Sequence, residues 1–455
     1  MPPGPPPPAY DEMPVVVAGA GISGRAAARV LRALGARVTV VDGSPEALAA
    51  LADEGFRTAT VLPAELAQVV TSPGWRPDAP LLLEAATRGV EVIGEVELAW
   101  RLRGGHSAPW LALTGTNGKT TAVTMLESVL RADGRRAVAA GNVGLPLLDA
   151  VLAPEPFDVI AVELSSFQLH WSSSVRPHTG ALLNVADDHT DWHGSFQAYA
   201  SDKAKVFAAD TGVGNLDDEV SRRLLGGAVG RRVGFTLRVP RPGELGMVED
   251  LLVDRAFPDE PGEATELASL ADLTVSGAHN VANALAAAAL ARSFGTSAGA
   301  VRAGLAAYTA QPHRNSLVRR IDEVSWVDDS KATNPHAAAA SIAAYAPVVW
   351  IAGGLLKGAD VEDLVRRAAP RLRAVVLLGT DREPLRKALA RHAPEVPVVE
   401  VPRLDTGAMP EVVAVARALA QPGDTVLLAP AAASMDCFRD YRQRGELFAA
   451  AVGAL

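Results

Sequence analysis

The chain has 455 residues, of which 49% are hydrophobic and 21% charged, and its formal net charge is -9 at pH 7. This length exceeds what one hydrophobic core usually organises, so about two to four domains are expected. The acidic balance excludes nucleic acid as a bulk partner, because a phosphate backbone requires a positive surface. The single cysteine, Cys437, excludes an intrachain disulfide and suits a reducing compartment.

The N-terminal segment is proline-rich, and residues 1–12 are predicted to form a disordered tail. The segment has neither the basic cluster nor the apolar run of a signal peptide. Residues 337–356 carry no charge and are long enough to suggest a membrane span, but Pro347 and the Gly353-Gly354 pair favour a helix followed by a buried strand. We therefore expect a cytoplasmic protein without membrane insertion.

Three series of strands and helices follow in chain order. The first opens with the strand VVVAGA, a helix and the strand RVTVVD, and it ends at a linker at 104–109. The second starts at Trp110 with the strand WLALTG, a glycine-rich turn and a helix; its strands include FDVIAVE and TGALLNV, and short strands are expected in 216–261. The third starts near Gln311 and contains the strands VSWVDD, VVWIAGG, AVVLLG and DTVLLAP. Strands that alternate with helices predict mostly parallel sheets and an α/β fold.

A glycine-rich turn, GAGISG at 19–24, follows the first strand and opens a helix, and Asp42 ends the next strand. This is the G-x-G-x-x-G pattern, in which glycines let backbone amides approach a diphosphate at a helix N-terminus. The pattern alone leaves three interpretations open: a nicotinamide cofactor site, a site for another nucleotide diphosphate, or a turn without a ligand. Residues 71–74, TSPG, are placed to supply more donors.

A second glycine-rich turn, TGTNGKTT at 114–121, lies between a strand and a helix. This is the arrangement of a phosphate loop, in which backbone amides cradle phosphate, Lys119 reaches the β and γ oxygens, and Thr120 or Thr121 holds Mg²⁺. Leu113 stands where the strict motif has its first glycine. The strand–loop–helix context argues against a chance match.

The TGTNGKTT loop resembles the ATP loop of the Mur ligases and of their folylpolyglutamate synthase relatives. Further segments resemble the same family in order and spacing, over nearly the whole chain: VELSSFQL at 162–169, NVADDH at 184–189, YASDK at 199–203, GAHNVAN at 277–283, PHR at 312–314, DSKATN at 329–334 and PAAAS at 430–434, with Phe438 and Arg444-Gly445. DSKATN and the last group are similar to the D-glutamate-adding branch in particular.

The resemblance implies an α/β fold of three domains in series. They are a Rossmann-like UDP-binding domain at 13–106, a central P-loop ATPase-like domain at 107–311 and a C-terminal Rossmann-like domain at 312–455. It implies ATP-dependent joining of D-glutamate to UDP-N-acetylmuramoyl-L-alanine through an acyl phosphate, as a step of peptidoglycan synthesis. A monomer is expected.

A transferring phosphoryl group needs positive charge on its oxygens, and the resemblance implies two Mg²⁺ sites. Glu163 ends an apolar strand, where a carboxylate is costly unless it is paired or metal-bound, so we assign it to Mg²⁺; a helix N-cap acceptor is the alternative. Thr120 and His189 are further candidate ligands. The resemblance implies that Lys203 is carbamylated by CO₂, which makes it an anionic ligand; a plain surface lysine is the alternative.

The remaining site residues follow from the resemblance. The catalytic set is Lys119, Asn142, His189 and Lys203. ATP binding is expected at Gly115, Thr116, Asn117, Gly118, Lys119, Thr120, Thr121, Asn280, Arg314 and Asp329. The UDP-substrate is expected at Ile22, Ser23, Ser72, Pro73, Gly74 and Asn142. D-Glutamate is expected at Thr333, Lys357, Ser434 and Phe438. Leu356 departs from the family, because related sequences often carry an acid just before this lysine.

Three alternatives remain beside this hypothesis. An NAD(P)-dependent oxidoreductase would explain the first glycine motif, but it leaves the phosphate loop, Glu163, His189 and the third domain without a role. A ligase of the same family that adds another amino acid conflicts with the DSKATN segment. A catalytically inactive scaffold conflicts with the intact lysines and acids.

Overall fold

The computed structural model describes residues 10–104, 107–258, 262–275 and 277–455. The chain divides into two compact units, one comprising Met1–Leu273 with Val281–Tyr308 and the other Thr274–Asn280 with Thr309–Leu455. Three sheets lie within these ranges. The α/β class expected from the alternation of strands and helices is confirmed.

The first sheet is fully parallel and belongs to the first unit. Its elements are β1 Pro14–Ala18, α1 Ile22–Ala33, β2 Arg37–Val41, α2 Pro45–Asp53, β3 Arg57–Ala59, β4 Gln68–Thr71, α3 Pro80–Thr87, β5 Glu91–Gly94 and α4 Glu95–Leu102. The strand order is β3-β2-β1-β4-β5. The apolar run in β1 is buried, as expected for a central strand that helices cover on both faces.

Residues 10–12, which the sequence analysis assigned to a disordered tail, form defined contacts in the structure. The tail was predicted to extend to residue 12, but Tyr10 is buried and its hydroxyl donates to Gln68 Oε1 at 3.1 Å. The amide of Glu12 donates to the carbonyl of Gly35 at 3.0 Å. Burial of the aromatic ring at the start of the first sheet outweighs the extended tendency of the prolines before it. Residues 1–9 of the predicted tail, and 105 and 106 of the predicted linker, lie outside the described residues.

The second sheet completes the first unit. Its strands are β6 Trp110–Thr114, β7 Ala137–Gly141, β8 Val159–Glu163, β9 Thr179–Leu182, β10 Thr211–Asn215, β11 Arg231–Phe235, β12 Glu244–Val248, β13 Leu251–Asp254 and β14 Thr265–Ser269. Their order is β14-β13-β12-β11-β10-β9-β6-β8-β7, and only the pairs β12–β13 and β13–β14 are antiparallel. The short strands expected in 216–261 are confirmed by β11, β12 and β13, while 259–261 lie outside the described ranges.

Eight helices connect or cover these strands in the described part of this segment: α5 Lys119–Ala132, α6 Leu147–Val151, α7 Ser166–His170, α8 Thr190–His193, α9 Phe196–Ala204, α10 Glu219–Leu225, α11 Ala278–Ser293 and α12 Ala298–Ala307. Helix α5 begins at Lys119, immediately after the phosphate loop. The carboxyl ends of β6, β7, β8 and β9 lie at one edge of the sheet, because these strands are parallel neighbours.

Two buried carboxylates on α4 bind the chain that surrounds the second sheet. Glu95 Oε1 accepts the amide of Leu148 at 3.1 Å, in the first turn of α6. Glu97 Oε2 accepts the amides of Ser173 at 2.9 Å and Ser174 at 3.0 Å. Burial raises the pKa of Glu95 to about 7. These hydrogen bonds join the first two sheets into one unit.

The third sheet forms the second unit. Its elements are β15 Ser316–Ile321, β16 Val324–Asp328, α13 Pro335–Ile342, β17 Val348–Gly353, α14 Glu362–Ala368, β18 Leu372–Leu378, α15 Arg382–His392, β19 Val398–Glu400, α16 Ala408–Leu419, β20 Thr425–Leu428 and α17 Tyr441–Gly453. The strand order is β15-β16-β20-β17-β18-β19, and β15 alone is antiparallel to its neighbour.

The uncharged stretch 337–356 consists of most of α13, a turn and the buried strand β17, which confirms its interpretation as a helix followed by a strand. Within the described ranges, every helix is too short or too polar to cross a membrane. The boundaries at 106 and 311 that the sequence analysis placed between domains stay a prediction, since the first two sheets share one compact unit.

Candidate active site

The lysine of the phosphate loop, Lys119, forms hydrogen bonds with the backbone of the same loop. Lys119 Nζ donates to the carbonyl oxygens of Gly115 and Thr116, both at 2.8 Å. Gly118 has φ +83°, and a Cβ at this position would lie 2.3 Å from Asn283 Oδ1. Both the left-handed backbone and the close approach require glycine here. The loop therefore presents the N-terminus of α5, which is a favourable position for an anion.

The segment after β9 holds the loop in place. Asn117 donates its amide to Asn184 Oδ1 at 2.9 Å, and Asn184 Nδ2 donates back to the carbonyl of Asn117 at 3.1 Å. The hydroxyls of Thr116 and Tyr199 lie 2.9 Å apart. Thr120 and Thr121, predicted for ATP or Mg²⁺, are largely buried in the first turn of α5. Sequence reasoning missed the supporting role of Asn184 and Tyr199, although both stand in segments that it singled out.

Glu163 ends β8 with one oxygen satisfied and one not. Its side chain is buried, and Oε1 accepts from Asn142 Nδ2 at 2.8 Å. Oε2 has no hydrogen-bond partner among the residues that the structure describes. A buried carboxylate oxygen without a donor is costly, so this oxygen fits a cation ligand. The alternative, a helix cap, is wrong, because Ser165 Oγ caps α7 by accepting the amide of Gln168 at 3.1 Å.

Lys203 is buried beneath the same loop. Its Nζ donates to the carbonyl of Gly115 at 2.7 Å, so Lys119 and Lys203 share one acceptor. Burial, and next the charge of Lys119, lower the pKa of Lys203 well below its usual range. The interpretation of Lys203 as a surface lysine is wrong; Lys205 on the same segment is the exposed one.

His189 lies at the start of α8 with a left-handed backbone, φ 54°. Its Nε2 is 3.6 Å from Asp188 Oδ2, and its ring centroid is 4.8 Å from that of Phe167. The imidazole is partly exposed. Its assignment to a metal ion stays a prediction.

A cleft of about 800 Å³ opens at the carboxyl end of the first sheet. Five of the residues predicted for the UDP-substrate line it: Ile22, Ser23, Ser72, Pro73 and Gly74. The sixth, Asn142, is not among the lining residues and lies instead beside Glu163. Ser72 Oγ is buried and is without a hydrogen-bond partner in the described part of the chain.

The glycine motif is packed too tightly for larger residues. A Cβ on Gly24 would lie 1.8 Å from the carbonyl oxygen of Gly19, and one on Gly19 would lie 2.3 Å from Ser72 Oγ. Asp42 Oδ2 accepts the amide of Ala20 at 2.7 Å, and Oδ1 accepts that of Ser44 at 2.8 Å. Asp42 therefore supports the glycine turn through one oxygen and the start of α2 through the other, so its position does not depend on a ribose.

The second unit brings three predicted segments to one edge of its sheet. The amide of Ala431 donates to the carbonyl of Ala332 at 2.9 Å, and Leu355 and Ala433 exchange two hydrogen bonds of 2.8 and 2.9 Å. These contacts connect the chain after β16, β20 and β17. The residues predicted for D-glutamate lie on or beside these segments: Thr333, Lys357, Ser434 and Phe438.

The loop that carries Lys357 contacts an acid from another part of the chain, Asp381, through a backbone amide. Leu356, which stands where related sequences often carry an acid, packs its side chain into the core. Its amide donates to Asp381 Oδ2 at 2.8 Å, at the start of α15. Lys357 itself is exposed, with φ 53°.

Arg444 holds two of the predicted segments together, a role that sequence reasoning missed. Its guanidinium is fully buried and donates to Ser330 Oγ at 2.9 Å, to the carbonyl of Ser330 at 2.8 Å and to that of Ala432 at 3.1 Å. Burial lowers its pKa to about 10. The DSKATN and PAAAS segments therefore share one fixed cation.

The residues predicted for the rest of ATP lie in the second unit. Asp329 Oδ1 accepts the amide of Asn315 at 3.2 Å. Burial raises the pKa of Asp329 to about 6, while the charge of Arg314 acts in the opposite direction. Asn280 is buried near the start of α11. The contacts of Asn280, Arg314 and Asp329 with a nucleotide stay predictions.

Comparison with known proteins places this geometry in a family. The family model "Mur ligase middle domain" matches residues 113–291, and "Mur ligase, glutamate ligase domain" matches 313–432. A third model, "Alanine dehydrogenase/PNT, C-terminal domain", matches 8–79. Among solved structures, UDP-N-acetylmuramate-alanine ligase of Thermotoga maritima has a TM-score of 0.59 at 20% identity and covers 97% of this chain and 99% of its own. A pseudomurein peptide ligase type C of Methanothermus fervidus has a TM-score of 0.61 at 18% identity, with the same coverage. These structures establish the fold.

Curated relatives are similar along the whole chain. UDP-N-acetylmuramoylalanine--D-glutamate ligase of Thermobifida fusca is 61% identical, over 97% of this chain and 98% of the relative. The protein of the same name from Streptomyces avermitilis is 56% identical with the same coverage. The chain belongs to the Mur ligase family, whose members are ATP-dependent ligases that form amide bonds.

The turn at Gly118 provides a test of the phosphate loop. Gly118→Ala should weaken ATP binding by at least about tenfold, because it adds backbone strain and a clash with Asn283 at the phosphate site. Gly134→Ala is the matched control, since Gly134 also has a left-handed backbone but open space around it. Calorimetric titration with ATP compares the two variants. Equal ATP affinity in both would contradict the loop assignment.

Proposed function

We propose that the chain joins D-glutamate to UDP-N-acetylmuramoyl-L-alanine with ATP, giving UDP-N-acetylmuramoyl-L-alanyl-D-glutamate, ADP and phosphate. Curated relatives named for this ligation and similar over 97% of the chain support the proposal. The structural observation that carries it is the buried Glu163 at the end of β8, whose Oε2 has no hydrogen-bond partner among the described residues. β8 pairs with β6, so Glu163 lies at the edge of the sheet where the phosphate loop begins. The reaction belongs to peptidoglycan synthesis, and we place it in the cytoplasm because it consumes ATP.

Activation takes place at the phosphate loop. A carboxylate oxygen of the UDP-substrate attacks the γ-phosphorus of ATP; the new P–O bond forms as the bond to ADP breaks. The backbone amides at the start of α5 and Lys119 bind the phosphate oxygens and stabilise the charge that develops on them. Glu163, Thr120 and His189 would hold Mg²⁺, which when bound neutralises negative charge on the phosphoryl oxygens.

Amide formation follows at the activated carbon. The amine of D-glutamate attacks the acyl phosphate, the C–N bond forms, phosphate leaves and the amine loses a proton. Asn142, whose Nδ2 donates to Glu163 Oε1, would bind the acyl phosphate with its amide group. On the second unit, Lys357 would pair with the side-chain carboxylate of D-glutamate, Thr333 and Ser434 would donate hydroxyls, and the side chain of Phe438 would form an apolar wall.

The cleft in the first sheet would hold the UDP group. Its volume lies in the usual range for small-molecule sites, about 300–1,000 Å³. The N-terminus of α1, with Ile22 and Ser23, offers donors to a diphosphate, and Ser72 Oγ offers another. We infer that a monomer suffices, because one chain supplies every residue in this scheme.

The oxidoreductase alternative rests on the glycine motif alone. The likeness to the alanine dehydrogenase domain is confined to residues 8–79, while relatives named as ligases match along the whole chain. Each oxygen of Asp42 also accepts a backbone amide, so the position of this acid is explained without a dinucleotide. The ligase is therefore the better interpretation.

Carbamylation of Lys203 forms part of the proposal. The lowered pKa makes a neutral amine available, and its nitrogen attacks CO₂ to form an N–C bond while one proton leaves to solvent. A carbamate replaces the repulsion between Lys203 and Lys119 by an attraction, since both contact the carbonyl of Gly115. The product is an anionic oxygen ligand of the kind Mg²⁺ prefers.

Labelled bicarbonate tests the modification. With ¹³C-bicarbonate, the protein should give a carbamate ¹³C signal that is absent from Lys203→Met. Lys205→Met is the control and should keep the signal, because Lys205 is an exposed lysine two positions away. A spectrum identical in Lys203→Met and the unaltered protein would contradict the proposal.

The reaction itself is tested by phosphate release with ATP, Mg²⁺ and UDP-N-acetylmuramoyl-L-alanine, adding amino acids one at a time. Release that appears only with D-glutamate is the expected result. Release with a different amino acid would retain the mechanism but refute the substrate. Absence of release with any amino acid would refute the ligase assignment.

The role of Lys357 predicts a selective defect. Lys357→Met should raise the KM for D-glutamate by roughly tenfold or more, because a charge-assisted hydrogen bond is lost. The KM for ATP should change little. Lys387→Met, which removes an exposed lysine from α15 in the same unit, is the control. An unchanged KM for D-glutamate in Lys357→Met would exclude this lysine from the amino-acid site.

A further inference from the structure

Three helices of the first unit bring two histidines and an aspartate together outside the proposed Mg²⁺ site. His170 ends α7, His193 ends α8 and Asp202 lies in α9. Asp202 Oδ2 is 2.8 Å from His170 Nδ1 and 3.0 Å from His193 Nδ1. One ligand atom from each residue lies within 4.8 Å of the other two.

This donor set has the chemistry of a zinc-class site. Two imidazole nitrogens and one carboxylate oxygen are ligands that Zn²⁺ binds in tetrahedral sites, with the fourth position open to water. Tetrahedral geometry at usual Zn²⁺ bond lengths sets neighbouring ligand atoms roughly 3.3 Å apart. The two distances from Asp202 Oδ2 to the histidine nitrogens, 2.8 and 3.0 Å, therefore need to lengthen by only a few tenths of an ångström, and the two nitrogens already lie within 4.8 Å of each other.

The surroundings of His193 hold it in the orientation that a metal ligand needs. Its Nε2 lies 3.0 Å from Ser166 Oγ, and its ring stacks on Phe167 with centroids 5.5 Å apart. A proton on Nε2, donated to the serine, leaves the lone pair of Nδ1 for a cation. The side chain of His193 is fully buried, whereas that of His170 is 31% exposed and gives access from solvent.

We propose that His170, His193 and Asp202 form a binding site for a transition-metal cation of the Zn²⁺ class. The site is distinct from the one assigned to Glu163. Asp202 immediately precedes Lys203 in α9, and Ser166 follows Glu163 within three residues of the chain. An ion at this position would therefore link the segment that contains Glu163 to the segment that contains Lys203, the two segments that carry proposed Mg²⁺ ligands.

Lys205 moderates the site. Its Nζ lies 2.9 Å from Asp202 Oδ1 and also donates to the carbonyls of Leu169 and His170. The ammonium group repels a cation bound at the other carboxylate oxygen. Replacing it with an uncharged side chain of similar length should strengthen metal binding, which is a result that damage to the fold would not produce.

The test is calorimetric titration of the full-length protein with Zn²⁺ in saturating Mg²⁺. His170→Ala should lower the Zn²⁺ affinity by at least about tenfold, and Lys205→Met should raise it by about three- to tenfold. Glu163→Gln should leave the Zn²⁺ affinity unchanged. Because neither His170 nor Lys205 belongs to the proposed ligation site, this readout is independent of ligase activity.

Co²⁺ provides a second readout with the same variants. The protein should give the visible absorption of tetrahedral Co²⁺ without a thiolate charge-transfer band, which excludes Cys437 as the ligand. His170→Ala should remove this absorption. The proposal is overturned if Zn²⁺ does not bind, if His170→Ala binds it as tightly as the unaltered protein, or if Glu163→Gln abolishes the binding.

Discussion

Two lysine side chains converge on one carbonyl oxygen, that of Gly115, and the chemistry of the second sheet depends on this crowding. Lys119 and Lys203 each donate a hydrogen bond to it, and Lys203 is buried. Two full positive charges are unfavourable in so small and poorly solvated a volume. Either one amine gives up its proton or a negative group enters. Burial and the charge of Lys119 lower the pKa of Lys203, and the charge of Glu163 acts in the opposite direction. Glu163 Oε2, which has no hydrogen-bond partner among the described residues, leaves negative charge available to a cation at the same edge of the sheet.

The first sheet shows how one motif serves different ligands. Its glycines pack as a dinucleotide turn requires, with backbone in contact with backbone. Asp42, the acid that would distinguish a nicotinamide site, accepts the amide of Ala20 in the turn and that of Ser44 at the start of α2. The pattern of glycines therefore specifies a tight turn at a helix N-terminus, a position that favours an anion, and it does not by itself specify the ligand.

Much of the fold could be predicted from the sequence, because apolar strands and glycine-rich turns are recognisable over a few consecutive residues. The apolar strands β1, β6, β8 and β17 and the glycine turns after β1 and β6 were placed from composition and spacing. The spacing of glycines and a lysine between β6 and α5 predicted the phosphate loop, and a carboxylate at the end of the apolar strand β8 drew attention to Glu163. The hydrogen-bond partners of the site residues could not be predicted in this way. The support of Asn184, the clamp of Arg444 and the substitution of Asp381 for an acid at Leu356 all depend on residues distant in the chain. No local pattern in one sequence encodes such pairings. Tyr10 was misjudged for the same reason, since its burial depends on Gln68.

The two carboxylates of α4 have a consequence for exchanging parts between relatives. Glu95 accepts the amide of Leu148, and Glu97 accepts the amides of Ser173 and Ser174. All three amides belong to the chain around the second sheet. A chimaera that took its first sheet and α4 from another protein would remove the carboxylates that accept the amides of Leu148, Ser173 and Ser174. A chimaera should therefore be joined before α4, between β5 and the helix, so that α4 and the second sheet come from the same protein. The glycine-rich linker, where the composition changes, is the less suitable position.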